Sequence, residues 1–356
     1  MLFLPALFVS PTSLTLILDC HVRRAKSMAR IVRFHQYGDP TVLKIEDLDV
    51  RPPAAGEVQI DVKSIGLNRA DVMFRTHAFL QEAQLPSRLG YEAAGLVRAV
   101  GASVAGFQKG DVVSLIPPVD VGRWGTYGEV ANLPARHLVK HPPNISFEQA
   151  AASWMQFLTA WGALIEQAKL SAGDFVIVTA ASSSVGIAAF QIAKAVGARV
   201  IATTRTHAKT QALMDLGADH VVVMEEQNLV ARVMEITRGL GARVVFDPVG
   251  GSSFIPLTDS MAPGGILLEY GALSTEPTPF PQLTVLGKSL TLKGYLNGEI
   301  TNDDAALDRA KAFITAGLAS GRLKPVIART FPFDQIAEAT RFLESNAQIG
   351  KVVVNV

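Results

Sequence analysis

The chain has a single cysteine, Cys20, and this excludes an internal disulfide and any cysteine-rich structural zinc lobe. Net charge is equally scarce. The formal balance is +1, and no run of Lys or Arg is longer than Arg23 and Arg24, so neither nucleic acid nor an anionic membrane surface is implied as a partner. Long hydrophobic runs are confined to the first residues, MLFLPALFVSPTSLTLIL. That stretch is at the short limit for a membrane span, is broken by Pro5 and Pro11, and lacks the basic start of a signal peptide. Residues 1–27 are expected to be a dispensable, disordered extension ahead of Met28, leaving a cytoplasmic protein with no membrane partner.

What is present suits a two-domain globular protein: 356 residues, 49% of them hydrophobic. Residues 29 to 142 hold short alternating β runs punctuated by Gly and Pro, among them 29–35, 58–65, 94–100 and 111–115. A helical segment, FEQAAASWMQFLTAWGALIEQAKL, follows from residue 147. Strands and helices then alternate, with strands expected at 175–180, 199–204, 220–224, 243–247, 265–270 and 290–295, which is the grammar of a parallel doubly wound sheet. Helices are expected over 303–320 and 333–346, and a closing strand over 351–356 that returns to the first domain.

The densest signal is FVIVTAASSSVGIAAFQIAKAVGARVIATTR, residues 175 to 205. It spells strand, tight turn, helix and second strand, a dinucleotide site whose turn aims free N–H groups at a pyrophosphate. Ser182, Ser183, Ser184, Val185 and Gly186 make that turn. A NAD site would place a carboxylate at the end of the second strand. From Phe175 through Met214 there is no Asp or Glu, whereas Arg205 and Lys209 stand just past that strand, where a 2′-phosphate needs cations. The cofactor expected is NADPH. Asp247, Val249, Tyr270 and Gly271 end buried strands and are expected to supply backbone to the same site.

Several phrases in fixed order carry a family likeness: GEVQIDVKSIGLNRADV at 56–72, LGYEAAGLVRAVG at 89–101, FQKGDVV at 107–113, FEQAAASWMQFLTAW at 147–161 and VVFDPVGG at 244–251. With the dinucleotide turn they resemble the medium-chain dehydrogenase/reductase superfamily, and most closely its zinc-free quinone oxidoreductase branch. The resemblance implies an α/β fold: a GroES-like β-rich catalytic domain (28–153 and 297–356) around a Rossmann NADPH-binding domain (154–296). It also implies association as a homodimer. At the positions where zinc alcohol dehydrogenases carry cysteine, histidine and cysteine, this chain has Asn68, Tyr91 and Met155, none a usual zinc ligand, so no metal is expected.

The resemblance sets Asn68 beside nicotinamide and substrate, hydrogen-bonding the acceptor carbonyl or a ribose hydroxyl; the alternative is an Asx turn. Tyr91 either donates a proton or fills the space of the absent metal. Thr159 is placed near the nicotinamide carboxamide, the alternative being a hydroxyl bonded to its own helix. Ser183 stands where the family turn usually has glycine, as a phosphate contact or as a helix cap. Lys209 matches a family lysine near the 2′-phosphate. Asp71 is read as a helix-start partner, Arg69 as a surface residue, and Met73 and Met224 as apolar replacements of family tyrosines. The implied reaction is hydride transfer from NADPH to a quinone or an activated alkene (enone). A 2-enoyl-thioester reductase is the alternative within the enzyme class, and an NADPH-binding non-catalytic or structural protein the alternative outside it.

Overall fold

The computed structural model describes residues 28–78, 80–118 and 120–356, and the expectations for residues 1–27 fall outside them. Six parallel strands form one sheet, in the order His220–Val223, Arg199–Thr204, Phe175–Val178, Ala242–Asp247, Met261–Glu269, Thr291–Gly294. The order reverses direction at Phe175–Val178, so its C-terminal end opens a crevice, the usual ligand position in such sheets.

Alternation along these strands divides the core. Val176, Val178, Val200, Ala202, Val244 and Phe246 face the helices of one side, while Ile177, Ile201, Val222, Val245 and Leu267 face the other. Burial on both faces explains why the strands read as continuous apolar runs with no polar alternation.

The second sheet is largely antiparallel and runs Ile327–Pro332, Lys351–Asn355, Glu57–Gly66, Ala93–Val100, Val112–Leu115, Leu138–Lys140, with Val130–Pro134 pairing Glu57–Gly66. Its C-terminal members come from the far end of the chain: Val353 pairs Gly66 and Val354 pairs Ile65. A separate ribbon pairs Met28–Arg33 with Lys44–Asp49.

One element departs from the sequence expectation. The helical stretch from residue 147 breaks into Phe147–Ala151, Trp154–Trp161 and a π turn, Gly162–Gln167. The first break has a visible cause. Ser153 Oγ donates back to Gln149 O at 2.6 Å, and the freed Met155 N–H donates to Glu92 Oε1 at 2.9 Å, so a carboxylate from the residue before strand Ala93–Val100 caps the restarted helix.

Candidate active site

The serine turn leads from strand Phe175–Val178 into helix Ser184–Val196. Ser183 caps that helix with φ −70° and accepts the Gly186 N–H at 3.0 Å on its Oγ. The cap withdraws one backbone donor from the turn, while the hydroxyl proton stays available as a replacement donor. Gly186 has no side chain for a packing reason, since a Cβ there would lie 2.6 Å from Ala181 O. Ala180 takes φ +44°, a left-handed backbone that disfavours a Cβ. Ser182 lies in the turn as expected from sequence, whereas Ser184 and Val185 already belong to the first turn of the helix.

Arg205 is exposed one residue beyond strand Arg199–Thr204. Lys209 lies close enough that Arg205 joins burial in lowering its pKa, burial being the larger cause. Lys209 Nζ donates to Ser182 Oγ at 3.0 Å, Asn346 O at 2.8 Å and Gln348 O at 2.9 Å. A 2′-phosphate would have to displace at least one of these. The acid-free segment is also not an acid-free neighbourhood: Glu226, from beyond the next strand, pairs with His207 Nε2 at 2.6 Å.

At the ends of the two following strands Asp247 and Glu269 are register partners. Asp247 holds its own turn by accepting Val249 N–H at 3.1 Å, Gly250 N–H at 2.9 Å and the Thr179 hydroxyl. Burial first, and the Asp247 charge second, push the Glu269 carboxyl up to about 9, so it stays protonated at neutral pH. Tyr270 stacks on Phe246 with ring centroids 4.0 Å apart. A Cβ on Gly271 would meet Pro248 Cβ at 2.9 Å, which keeps the two turns in close contact.

The acceptor side centres on Asn68, the residue before helix Arg69–Arg75. Its backbone N–H donates to Asp71 Oδ2 at 2.9 Å, which fits the helix-start role read for Asp71. Its side chain is not an Asx turn but the hub of a buried network. Nδ2 donates to Gly66 O at 3.1 Å and reaches Glu92 Oε2 at 3.4 Å, while Oδ1 accepts from Lys351 Nζ at 2.5 Å. Lys351 also pairs with Glu92 Oε2 at 2.5 Å, both side chains being essentially inaccessible, 1% and 0%.

Beneath this network Tyr127 Oη donates to Asp71 Oδ2 at 3.1 Å, and burial raises the Asp71 carboxyl to about 7. Tyr91 is buried, and desolvation holds its phenol above the ordinary range, with Asp71 and Asp120 adding to the shift. Thr159 donates its hydroxyl to Met155 O at 2.5 Å, the helix-bonded alternative. Arg69 is not a free surface cation: it bonds Leu343 O at 3.1 Å and the Asn346 side chain.

Lys209 and Arg69 thus both grip the segment 343–348. Gly350 N–H then donates to Ser182 O at 2.9 Å, tying the same strap to the serine turn one residue before Lys351. The chain's one pair of histidines spaced by four, His137 and His141, flanks strand Leu138–Lys140 and so shares no helical face. Among the described residues no group of three or more metal-ligating side chains converges.

Sequence reasoning does not single out Lys351, Glu269 or Glu226. Glu92 in GYEAAGLV and Lys351 in GKVVV are charges inside apolar strand-like runs. Such charges are rarely buried unless paired, so the two opposite signs were a readable cue. Glu269 and Glu226 offer no comparable cue, because their neighbours come from other strands.

Comparison with known proteins agrees with this two-sheet architecture. Residues 54–143 match the alcohol dehydrogenase GroES-like domain, and residues 184–312 match the zinc-binding dehydrogenase family. Quinone oxidoreductase 1 of Escherichia coli (strain K12) is 33% identical over 328 residues, covering 91% of this chain and 98% of that protein. The crystal structure of Escherichia coli quinone oxidoreductase complexed with NADPH superposes with a TM-score of 0.86 at 32% identity, over 92% of this chain and 100% of the other. An NAD-dependent alcohol dehydrogenase superposes with a TM-score of 0.84 at 34% identity, over 92% and 99%. The two sheets are therefore a GroES-like domain and a Rossmann domain, and the chain belongs to the quinone oxidoreductases of the medium-chain dehydrogenase/reductase superfamily, a family of NAD(P)H-dependent oxidoreductases.

Proposed function

We propose that this chain is a cytoplasmic, homodimeric, NADPH-dependent reductase that delivers hydride to a quinone or to the β-carbon of an activated alkene without catalytic zinc. The observation that carries the reading is Lys209 Nζ at 3.0 Å from Ser182 Oγ of the serine turn, with Arg205 just past a strand that contributes no carboxylate. Bound there, NADPH supplies the hydride.

The residues present fit such a ligand. The N-terminus of helix Ser184–Val196, with the Ser183 hydroxyl, suits a pyrophosphate. Arg205 and Lys209 suit a 2′-phosphate. The packed turns at Asp247–Gly250 and Gly271 offer backbone to the nicotinamide half. On the acceptor side an amide, a phenol and a thioether replace the usual zinc ligands, so polarisation of a carbonyl falls to hydrogen-bond donors. Quinones and enones are electron-poor enough for that to suffice, with Asn68 orienting the carbonyl and water or a nearby acid supplying the proton.

The test is NADPH and NADH oxidation against ortho- and para-quinones, enones and enoyl-thioesters. NADPH should be preferred, and Arg205→Ala with Lys209→Ala should cut kcat/KM for NADPH by about tenfold or more while leaving NADH little changed. Equal efficiency with NADH in the parent protein overturns the cofactor assignment. Turnover of enoyl-thioesters alone would move the substrate class. NADPH binding without turnover of any acceptor would favour a non-catalytic binding protein.

A further inference from the structure

We infer that Lys351 is a positioning residue: its buried ammonium fixes the Asn68 amide with Oδ1 turned inward, and so presents Nδ2 as a hydrogen-bond donor to the carbonyl oxygen of the acceptor. The inference rests on the reading of the Asn68 segment as the acceptor side.

An ammonium carries donors and no acceptor, so the amide edge facing it must be the oxygen. The 2.5 Å contact from Lys351 Nζ to Asn68 Oδ1 meets that requirement. Of the two Nδ2 hydrogens, one is held by Gly66 O at 3.1 Å. The other makes a 3.4 Å contact with Glu92 Oε2, an oxygen already engaged by the ammonium at 2.5 Å. A contact that long is weak, so this is the hydrogen that a ligand oxygen can share while the amide stays where Lys351 holds it.

The surroundings are built to hold the ammonium in place. A Cβ on Gly66 would lie 2.1 Å from Ala151 O, 2.9 Å from Lys351 Cε and 3.0 Å from Glu92 Oε2, so the missing side chain lets the Ala151 backbone and the ion pair approach together. Glu92 is itself fixed on its other oxygen by the Met155 N–H at 2.9 Å. Packing alone does not call for this arrangement, because a buried ion pair costs desolvation that two apolar side chains of similar volume avoid. What the pair provides and an apolar pair cannot is a direction for the Asn68 amide.

Lys351→Met alone leaves Glu92 buried without its counter-charge and risks unfolding, so the deciding variant is Lys351→Met with Glu92→Gln, which removes both charges together. Steady-state reduction of para-benzoquinone, NADPH affinity by fluorescence titration, and a crystal structure of the double variant are the measurements. With the quinone, kcat/KM should fall by about tenfold, the worth of one hydrogen bond made in the reacting complex, while NADPH affinity stays within about twofold. Lys351→Arg, which keeps a donor-only cation, should retain most of the activity. In the crystal the Asn68 amide of the double variant should be rotated.

Parent kinetics together with an unmoved Asn68 would overturn the inference. A kinetic loss with Asn68 unmoved would overturn it too, because the effect would then run through the lost charge. Should the parent protein reduce no quinone, the proposed activity fails on its own, and the position of Asn68 in the double variant still decides the matter.

Discussion

Ser183 shows how a substitution inside a turn changes which atoms face a ligand. With glycine at that position the Gly186 N–H would be free; with serine that N–H is capped, and a hydroxyl proton is offered in its place. Three residues earlier, Ala180 holds φ +44°. Ala180→Gly should raise stability by about 1 kcal/mol by relieving the left-handed Cβ, read as a higher urea midpoint with an unchanged m-value. A lower midpoint would show that the methyl group packs better than the backbone strain costs.

Asp71 carries a pH dependence of definite sign. Its folded carboxyl is raised to about 7 from 3.8, chiefly by burial, so the folded state holds its proton more tightly than the unfolded chain. The stability this provides is complete below about pH 4 and is lost as pH rises toward 7. Asp71→Asn should flatten the parent's decline across that window, a slope of up to about 1.4 kcal/mol per pH unit, measured by urea unfolding at stepped pH. Identical slopes in parent and variant would dismiss Asp71 as the source.

Residues that speak through local grammar were legible in the sequence: the serine turn, Gly186, and Asp71 as a helix-start partner. Lys351 was not, because its partner Asn68 lies 283 positions away and only the sheet pairing of the last strand brings them together. Thr159 was legible only as a choice between two bonds, and the structure shows the one to its own helix.

Among the elements, the broken helix after residue 147 is the instructive case. Propensity alone favours one continuous helix through AAASWMQFLTAW, but the Glu92 carboxylate, next to strand Ala93–Val100, accepts the Met155 N–H instead. Farther along, the π turn Gly162–Gln167 begins where a Cβ would fall 2.0 Å from Tyr295 Oη. Gly162→Ala should therefore cost about 1–3 kcal/mol through overpacking, whereas the same change at Gly287, where a Cβ meets nothing within 4 Å, should be neutral or slightly stabilising. Thermal unfolding of the two variants side by side tests this. Equal losses would place the cost in the backbone and not in the clash with Tyr295.

For the whole molecule, the Rossmann sheet ends in the edge strand Thr291–Gly294, and the helix before it, Gln282–Lys288, exposes Leu283 by 84% and Leu286 by 68%. An open edge beside exposed leucines suits the proposed homodimer. Leu283→Lys with Leu286→Lys should weaken self-association by about a hundredfold or more, seen as a shift toward monomer in sedimentation velocity. A parent protein that sediments as a monomer at all concentrations would remove the dimer from the reading.

The position of Lys351 also has a meaning in time. Central strand Glu57–Gly66 is synthesised before the Rossmann sheet, yet its neighbour Lys351–Asn355 and the ammonium that meets Asn68 are synthesised only after that sheet. The Rossmann sheet is complete by residue 294 and needs nothing that follows to pair its strands. During synthesis the cofactor half can thus assemble first. The other sheet waits for strand Lys351–Asn355, so a nascent chain completes the Rossmann strands before it can hold the Asn68 amide in an ordered position.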